Sequence, residues 1–236
     1  MDAKKYSLYG EEEIKSLLRT LMKQSRYEHS LNVAERAAFL AEKYGADPDK
    51  ARFAGLVHDI CKGMTGEEQL AIIKRGGIEL DEDAMKSPAL WHSAAGSVYI
   101  REKLGVTDGD IINAVRYHTT GRAGMSILEK TVYIADLTSA DRSYPDAAYV
   151  RRLSELDIDQ CIAFSCRWII SDVTSRGLPA GHDTEALAEE CKSKIHKSRF
   201  RERRNRKWNL KNSHLKLQKF LTAKKQRTFA CSKSAM

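Results

Sequence analysis

The chain has 236 residues and a net charge of +8, enough length for one or two domains with a sizeable core. The first residues lack the apolar core of a signal peptide, and Arg167 interrupts the longest apolar run, which argues against a membrane-spanning helix. The five cysteines form no C-x-x-C pair, which argues against a zinc ribbon and favours reduced thiols, so we expect a cytoplasmic protein.

The charge is distributed unevenly along the chain. Residues 192–236 contain sixteen Lys or Arg and a single acid, whereas residues 1–191 carry a net charge of −7. A change of this size marks a boundary between two parts of a protein. We therefore predict a folded body over residues 1–191. Residues 192–236 are predicted to form a basic C-terminal extension, helical at its start and then disordered.

The first two predicted helices cover residues 11–23 and 25–44, where apolar residues recur at helical spacing. His29 lies four residues before Val33, which belongs to the apolar face of the second helix. We therefore expect the imidazole of His29 to point into the protein. Gly45 is predicted to end this helix.

The third predicted helix begins at Asp47 and Pro48, a pair typical of an N-cap followed by the first helical residue. This helix is predicted to continue through His58 and Asp59, which follow the small residue Gly55 by about one turn. An adjacent His and Asp that both point inward can place a nitrogen and an oxygen on one cation. The apolar face beside them consists of Phe53, Leu56, Val57 and Ile60.

The remaining helices are predicted over residues 67–75, 88–104, 111–118, 126–140, 146–156 and 158–176, with a last one beginning at Thr184. His92 and His118 fall on the apolar faces of two of them, and Asp136 lies at the edge of a third. Trp168 is expected in the core. No alternation typical of strands appears before the basic extension, so we predict an all-α fold.

Four histidines and two aspartates are thus expected to face inward from five separate helices. Each of them alone is compatible with a hydrogen-bonded or salt-bridged core residue. Together they would need six separate hydrogen-bond or ion-pair partners, whereas one or two metal ions would satisfy all of them. Nitrogen and oxygen ligands without thiolate suit Fe, Mn, Co, Ni or Zn. The predicted ligands are His29, His58, Asp59, His92, His118 and Asp136.

Five motifs follow one another along the body. They are Arg-Tyr-Glu-His-Ser at 26–30, Gly-Leu-Val-His-Asp-Ile-Cys-Lys at 55–62, Trp-His-Ser-Ala-Ala-Gly at 91–96, Tyr-His-Thr-Thr-Gly-Arg at 117–122 and a run at 128–136 that ends in Asp136 and precedes Asp141-Arg142. In this order, on an all-α body, they resemble the HD-domain metal-dependent phosphohydrolases. The closer resemblance is to the YqeK-like symmetrical bis(5'-nucleosyl)-tetraphosphatases, over roughly residues 5–190.

The resemblance implies an HD-domain helical bundle that hydrolyses a dinucleoside polyphosphate, typically diadenosine tetraphosphate, into two ADP. It also implies one or two bound transition-metal ions, with iron favoured over Mn, Co, Ni or Zn. The implied ligands of one metal are His29, His58, Asp59 and Asp136, and those of the second are Asp59, His92 and His118, so that Asp59 bridges the two.

The chemistry of phosphoanhydrides supports this interpretation. Two metals about 3.5–4 Å apart can hold a hydroxide and neutralise phosphate oxygens. We expect in-line attack of that hydroxide on an inner phosphorus, with ADP as the leaving group and Asp59 and Lys62 as catalytic residues. Lys62 is predicted one turn beyond His58 on the same helix. Phosphate-binding candidates are Arg26, Lys62, Thr119, Arg142 and Arg122, whose side chain is expected to swing over the substrate from a glycine-flanked loop.

Several alternatives remain open at this stage. Lys62 and Arg26 also fit the description of solvated surface cations. The same HD scaffold suits a cyclic dinucleotide or a nucleoside triphosphate as substrate. A third alternative is an RNA-associated protein that acts through residues 192–236, where aromatic residues stand between basic ones. A homodimer is compatible with each of these functions.

Overall fold

The computed structural model describes residues 1–194, which form helices joined by short connections and contain no strand. The predicted all-α fold is confirmed for this range. The α-helices are α1 (Glu11–Leu21), α2 (Gln24–Tyr44), α3 (Pro48–Val57), α4 (Gly66–Arg75), α5 (Glu82–Met85), α6 (Trp91–Lys103), α7 (Gly109–Arg116), α8 (Ile127–Thr138), α9 (Ala147–Leu156), α10 (Ile158–Ser175) and α11 (residues 182–194). Short 3-10 turns occupy Ala3–Lys5 and Pro88–Leu90.

Local signals in the sequence set the starts of the central helices. The carboxylate of Asp47 accepts hydrogen bonds from the backbone N–H groups of Asp49 and Lys50, and Pro48 occupies the first helical position of α3. Ser126 and Glu129 cap the start of α8 reciprocally. These contacts satisfy N–H groups that have no partner within the helix, so each helix begins at a defined residue.

The predicted helix through His58 and Asp59 ends earlier than expected. Helix α3 stops at Val57, and the chain continues in tight turns in which Ile60 donates to the carbonyl of Val57 at 3.1 Å and Lys62 to that of Asp59 at 2.8 Å. The prediction that these residues share one continuous helix is therefore wrong. The tighter turns keep Ile60 in the core while they direct His58 and Asp59 inward.

Helix α2 crosses α3 and α8, and the contact with α3 is close because Gly55 has no side chain. A Cβ atom at this position would lie 2.9 Å from the Cα of Ala34 and 3.0 Å from the carbonyl oxygen of Val33. Both distances are shorter than ordinary van der Waals contact. The glycine thus lets α3 bring His58 near the residues of α2.

The core side of α10 differs from the prediction. Its buried stripe runs through Ile158, Ile162 and Cys166, and Trp168 lies two positions further, off that stripe. Trp168 is 42% exposed and stacks on Tyr144 with ring centroids 5.7 Å apart. The prediction that Trp168 belongs to the core is therefore wrong.

The chain divides into one unit over Met1–Cys191 and another over Lys192–Met236. The structure of residues 195–236, and with it the predicted helical start and disordered end of the basic extension, lies outside the described residues. None of the described helices combines the length and apolar composition that a membrane span requires.

Candidate metal centre

The six side chains predicted as metal ligands lie together in the interior. Helix α2 supplies His29, the turn after α3 supplies His58 and Asp59, and the turn after α7 supplies His118. Helix α6 supplies His92 in its first turn, and α8 supplies Asp136 in its last. Five of the six are buried, and Asp136 is partly buried. The site is therefore assembled from three helices, α2, α6 and α8, and from the turns that follow α3 and α7.

Asp59 lies between the two halves of the cluster. Its Oδ1 is 3.1 Å from Nε2 of His92 and 3.5 Å from Nε2 of His118. Its Oδ2 is 3.4 Å from Nε2 of His58. On the far side, Oδ1 of Asp136 is 4.0 Å from the same His58 nitrogen. The two oxygens of Asp59 thus face different sets of histidines.

Three of the histidines are held by the backbone in the same way. The Nδ1–H of each ring donates to the carbonyl three residues earlier: His58 to Gly55 at 2.7 Å, His92 to Ala89 at 2.8 Å and His118 to Val115 at 2.7 Å. Because Nδ1 carries the proton, Nε2 keeps its lone pair and directs it into the cluster. A neutral imidazole oriented by a hydrogen bond on its other nitrogen is the usual form of a metal ligand.

His29 is oriented by side chains instead. Its Nδ1 lies 2.7 Å from Oδ2 of Asp141, and its Nε2 lies 2.9 Å from Oδ1 of Asp136. A carboxylate on the outer nitrogen of a histidine fixes the orientation of the ring and raises its basicity as a ligand. The sequence motif contains Asp141, but nothing in its spacing indicated this contact with His29.

The cluster fits a metal ion by its geometry and its chemistry. Three overlapping groups present ligand atoms within 4.8 Å of one another: His29, His58 and Asp59; His58, His118 and Asp136; and Asp59, His92 and His118. Within the described residues, the buried Nε2 of His58 has no hydrogen-bond partner. A buried lone pair without a partner is unfavourable, and a cation bound by these nitrogen and oxygen donors would provide that partner.

The electrostatics of the cluster keep Asp59 and His92 in the forms that bind metals. Burial opposes ionisation of Asp59, but the neighbouring His58, His118 and His92 together hold its pKa well below the usual value. Burial lowers the pKa of His92 to about 4. Asp59 is therefore a carboxylate and His92 a neutral imidazole at neutral pH.

Arg26 and Lys62, two of the predicted phosphate-binding cations, contact the cluster at Asp59 and His92. Nη1 of Arg26 donates to Oδ2 of Asp59 at 2.9 Å. Nζ of Lys62 lies 3.4 Å from Nε2 of His92 and donates to the carbonyl of Ala89 at 3.4 Å. Burial of the ammonium group beside the site lowers the pKa of Lys62, although its side chain remains accessible to solvent. Lys62 reaches the site from the turns after α3, not from the predicted helix.

Arg142 and Thr119 also lie at the cluster. Nε of Arg142 donates to the carbonyl of Asp136 at 2.7 Å, and its Nη2 donates to the carboxylate of the same residue. The hydroxyl of Thr119 lies 3.3 Å from Nε2 of His92. The sequence analysis included Arg142 among the phosphate-binding candidates but did not predict its contact with Asp136, six residues earlier.

Arg122 is held by two neighbouring side chains. Its guanidinium donates two hydrogen bonds to the buried carboxylate of Glu129, from Nε at 2.6 Å and from Nη2 at 2.7 Å. It also lies over the ring of Tyr117, 5.0 Å from the centroid. A bidentate pair with a buried acid restricts the motion of the side chain, and the binding of phosphate by Arg122 stays a prediction.

A cavity of about 580 Å³ opens beside Arg26 and Lys62. Lys23, which sequence reasoning did not single out, lines the same cavity and places a third positive charge there. It lies three residues before Arg26, at the N-cap of α2. A concave surface with three cations next to this cluster of histidines and aspartates suits a polyanionic ligand.

Comparison with known proteins points to one family. The HD domain pattern matches residues 26–141. The chain is 36% identical over 176 residues to the symmetrical bis(5'-nucleosyl)-tetraphosphatase of Bacillus subtilis (strain 168). This alignment covers 73% of this chain and 92% of the relative. It is 34% identical over 170 residues to the enzyme with the same name from Halalkalibacterium halodurans. That alignment covers 72% of this chain and 90% of the relative.

A solved structure has the same fold. It is a predicted HD superfamily hydrolase involved in NAD metabolism from Clostridium acetobutylicum, with a TM-score of 0.77 and 33% sequence identity. The alignment covers 79% of this chain and 98% of that protein. The similarity therefore extends over nearly all of the residues that form the helices and the cluster.

Proposed function

The chain belongs to the symmetrical bis(5'-nucleosyl)-tetraphosphatases of the HD domain family, and from this premise we propose that it splits diadenosine tetraphosphate in the middle into two ADP. The observation that carries the proposal is the cluster of four histidines and two aspartates next to a cationic cavity. Water supplies the nucleophile. One new P–O bond forms at an inner phosphorus, the bridge between the two inner phosphates breaks, and each product is a nucleoside diphosphate.

The residues that would hold the metal divide into two sets. His29, His58 and Asp136 would hold one ion, His92 and His118 a second, and Asp59 would serve both through its two oxygens. When bound, such ions lower the pKa of a water molecule and neutralise charge on phosphate oxygens. The nitrogen and oxygen donors suit several first-row metals, and we propose iron on the basis of the family resemblance.

The cations beside the cluster would bind and orient the phosphate chain. Arg26 and Lys62 line the cavity and also contact Asp59 and His92, respectively, and their charges would offset the negative charge that develops on the phosphate being attacked. Arg142 is proposed to serve the same purpose from the side of Asp136. Fixed cations supply this stabilisation without reorganisation during the reaction, because their hydrogen bonds already hold them in place.

The test combines metal analysis and product analysis on the full-length chain, prepared without oxygen. We expect about two transition-metal ions per chain and ADP as the sole product of diadenosine tetraphosphate. In water labelled with ¹⁸O, half of the ADP should carry one labelled oxygen on its β-phosphate. AMP and ATP as products would refute the symmetrical split. Bound metal without turnover would favour another substrate, such as a cyclic dinucleotide or a nucleoside triphosphate.

A further inference from the structure

Arg151, on α9, binds backbone carbonyls in the segment that follows α8. Its Nε donates to the carbonyl of Thr138 at 3.0 Å, and its Nη2 donates to those of Ser139 at 2.9 Å and Arg142 at 3.2 Å. Among residues 1–194, the hydrogen-bond partners of this guanidinium are all backbone oxygens. A planar guanidinium can contact three carbonyls at once only when they are held in a fixed arrangement around it.

The segment that Arg151 holds, here named the 139–142 loop, carries two groups of the candidate centre. Asp141 contacts the outer nitrogen of His29 at 2.7 Å, and Arg142 binds both the carbonyl and the carboxylate of Asp136. Arg151 contacts the first and the last residue of this loop. The position of its guanidinium therefore fixes the separation of the loop ends and, with it, the directions of Asp141 and Arg142.

Arg36 connects this arrangement to the helix that supplies His29. Its guanidinium donates to the hydroxyl of Thr138 at 3.2 Å, the carbonyl of Arg151 at 3.2 Å and the hydroxyl of Ser154 at 2.8 Å. Arg36 stands on α2, two turns after His29, and so joins α2 to α8 and α9. Arg151 thus contacts the 139–142 loop directly, whereas Arg36 contacts Thr138, the last residue of α8 before that loop.

We propose that Arg151 is a positioning residue for the metal centre, which acts by fixing the 139–142 loop so that Asp141 orients His29 and Arg142 orients Asp136. This inference rests on the proposed function, because it concerns the metal that His29 and Asp136 would bind. Outer contacts of this kind typically change metal affinity by about 10–100-fold when they are removed. The second proposed set, His92 and His118, has no contact with the loop in the described residues.

The experiment measures metal affinity by competition with a chelator, together with kcat and KM, for the full-length chain, four single variants and one double variant. Arg151→Met removes the guanidinium and keeps an aliphatic stem, and Arg151→Lys keeps the charge but offers a single donor group. Arg152→Met, at the neighbouring exposed position, is the matched control. Asp141→Asn removes the charge that faces His29.

We expect Arg151→Met to lose one metal ion at a chelator concentration about 10–100-fold lower than the wild type requires, with the other ion retained. Its kcat should fall, its KM should change little, and added metal should restore kcat. Arg151→Lys should behave like Arg151→Met, because one ammonium cannot hold three carbonyls. Combining Arg151→Met with Asp141→Asn should weaken binding less than the two single effects together predict.

Wild-type metal affinity in Arg151→Met would overturn the inference, as would full rescue by Arg151→Lys or strictly additive effects in the double variant. If Arg151→Met does not fold, Arg151→Lys decides: reduced affinity supports the inference and unchanged affinity overturns it. A wild-type chain that binds no metal would refute the proposed function as well. A wild-type chain with two ions and an unaffected Arg151→Met would refute only the role of Arg151.

Discussion

At the scale of single residues, Asp59 is the side chain on which the proposed centre depends most. Each of its oxygens faces a different set of histidines, and its pKa lies far below neutral pH. We predict that Asp59→Ala removes both metal ions and abolishes hydrolysis of diadenosine tetraphosphate. Each proposed set of metal ligands would lose the carboxylate that the two sets share. Elemental analysis and product chromatography would measure this.

The control for that prediction is Asp49→Ala, which removes an exposed acid from the first turn of α3. It should retain metal and activity. Full activity in the Asp59→Ala protein would rule out the bridging role that we assign to Asp59.

Lys62 should separate catalysis from metal binding. Its ammonium group lies beside His92 and the cationic cavity, but it provides no metal ligand. We predict that Lys62→Met lowers kcat by about 10²-fold, the loss typical for a group that stabilises charge only in the transition state, while the metal content stays unchanged. Lys86→Met, at an exposed position in the connection before α6, is the control. An unchanged kcat would identify Lys62 as a solvated cation without a catalytic role.

At the scale of helices, the crossing of α2 and α3 controls the position of the His-Asp pair. We predict that Gly55→Ala destabilises the protein by about 1–3 kcal/mol, since the added carbon would press on the backbone of Ala34 and neither backbone can yield easily. The better helix propensity of alanine offsets up to about 1 kcal/mol of this cost. Urea denaturation measures the effect, and a reduced kcat should accompany it because His58 moves with α3.

Gly109→Ala is the matched control for that substitution. Gly109 begins α7, and a Cβ atom there would have no neighbour within 4 Å. Stability should stay the same or rise slightly. Equal effects of the two substitutions would contradict the packing argument at Gly55.

The helices also show what local sequence can and cannot predict. The starts of α3 and α8 were predictable, because Asp47 and Ser126 satisfy backbone groups within a few residues. The end of α3 was not, since Ile60 continues the apolar spacing beyond Val57 and only the backbone hydrogen bonds change. Apolar periodicity reports which side of the chain is buried, and a tight turn can preserve that side after the helix has ended.

At the scale of the whole molecule, α11 supports the loop that follows His118. The hydroxyl of Thr184 donates to the carbonyl of Thr120 at 3.0 Å, and the buried Leu187 lies against Gly121. Thr119, the residue before Thr120, contacts His92. The last described helix is therefore linked to the candidate centre through a single loop, although none of its residues belongs to the cluster.

We predict that a chain that ends after residue 194 has the melting temperature and the kcat of the full-length chain. A chain that ends after residue 181 should have a lower melting temperature and a lower kcat. The shorter chain would expose the surface that Leu187 and Ala188 cover and would leave the 119–124 loop without its support. Thermal denaturation and turnover of diadenosine tetraphosphate would measure this. Loss of hydrolysis on removal of residues 195–236 alone would contradict it and assign the basic extension a part in the reaction.

Contacts between distant parts of the chain were beyond the reach of sequence reasoning. The six clustered residues were predictable because each lies on or beside an apolar face, and apolar faces converge on a core. The partners that orient them were not. Asp141 is 112 residues from His29, and the pairing of Arg122 with Glu129 depends on a loop whose path no local pattern describes.

The hydrogen bonds from His58, His92 and His118 to carbonyls three residues earlier have a consequence for the order of events during folding. The partner of each of these rings lies within its own turn, so we expect the turn alone to set the tautomer without any long-range contact. The partner of His29 lies 112 residues away, in the 139–142 loop. We therefore expect three of the four imidazoles to be oriented early in folding and His29 to follow when the 139–142 loop packs against α2.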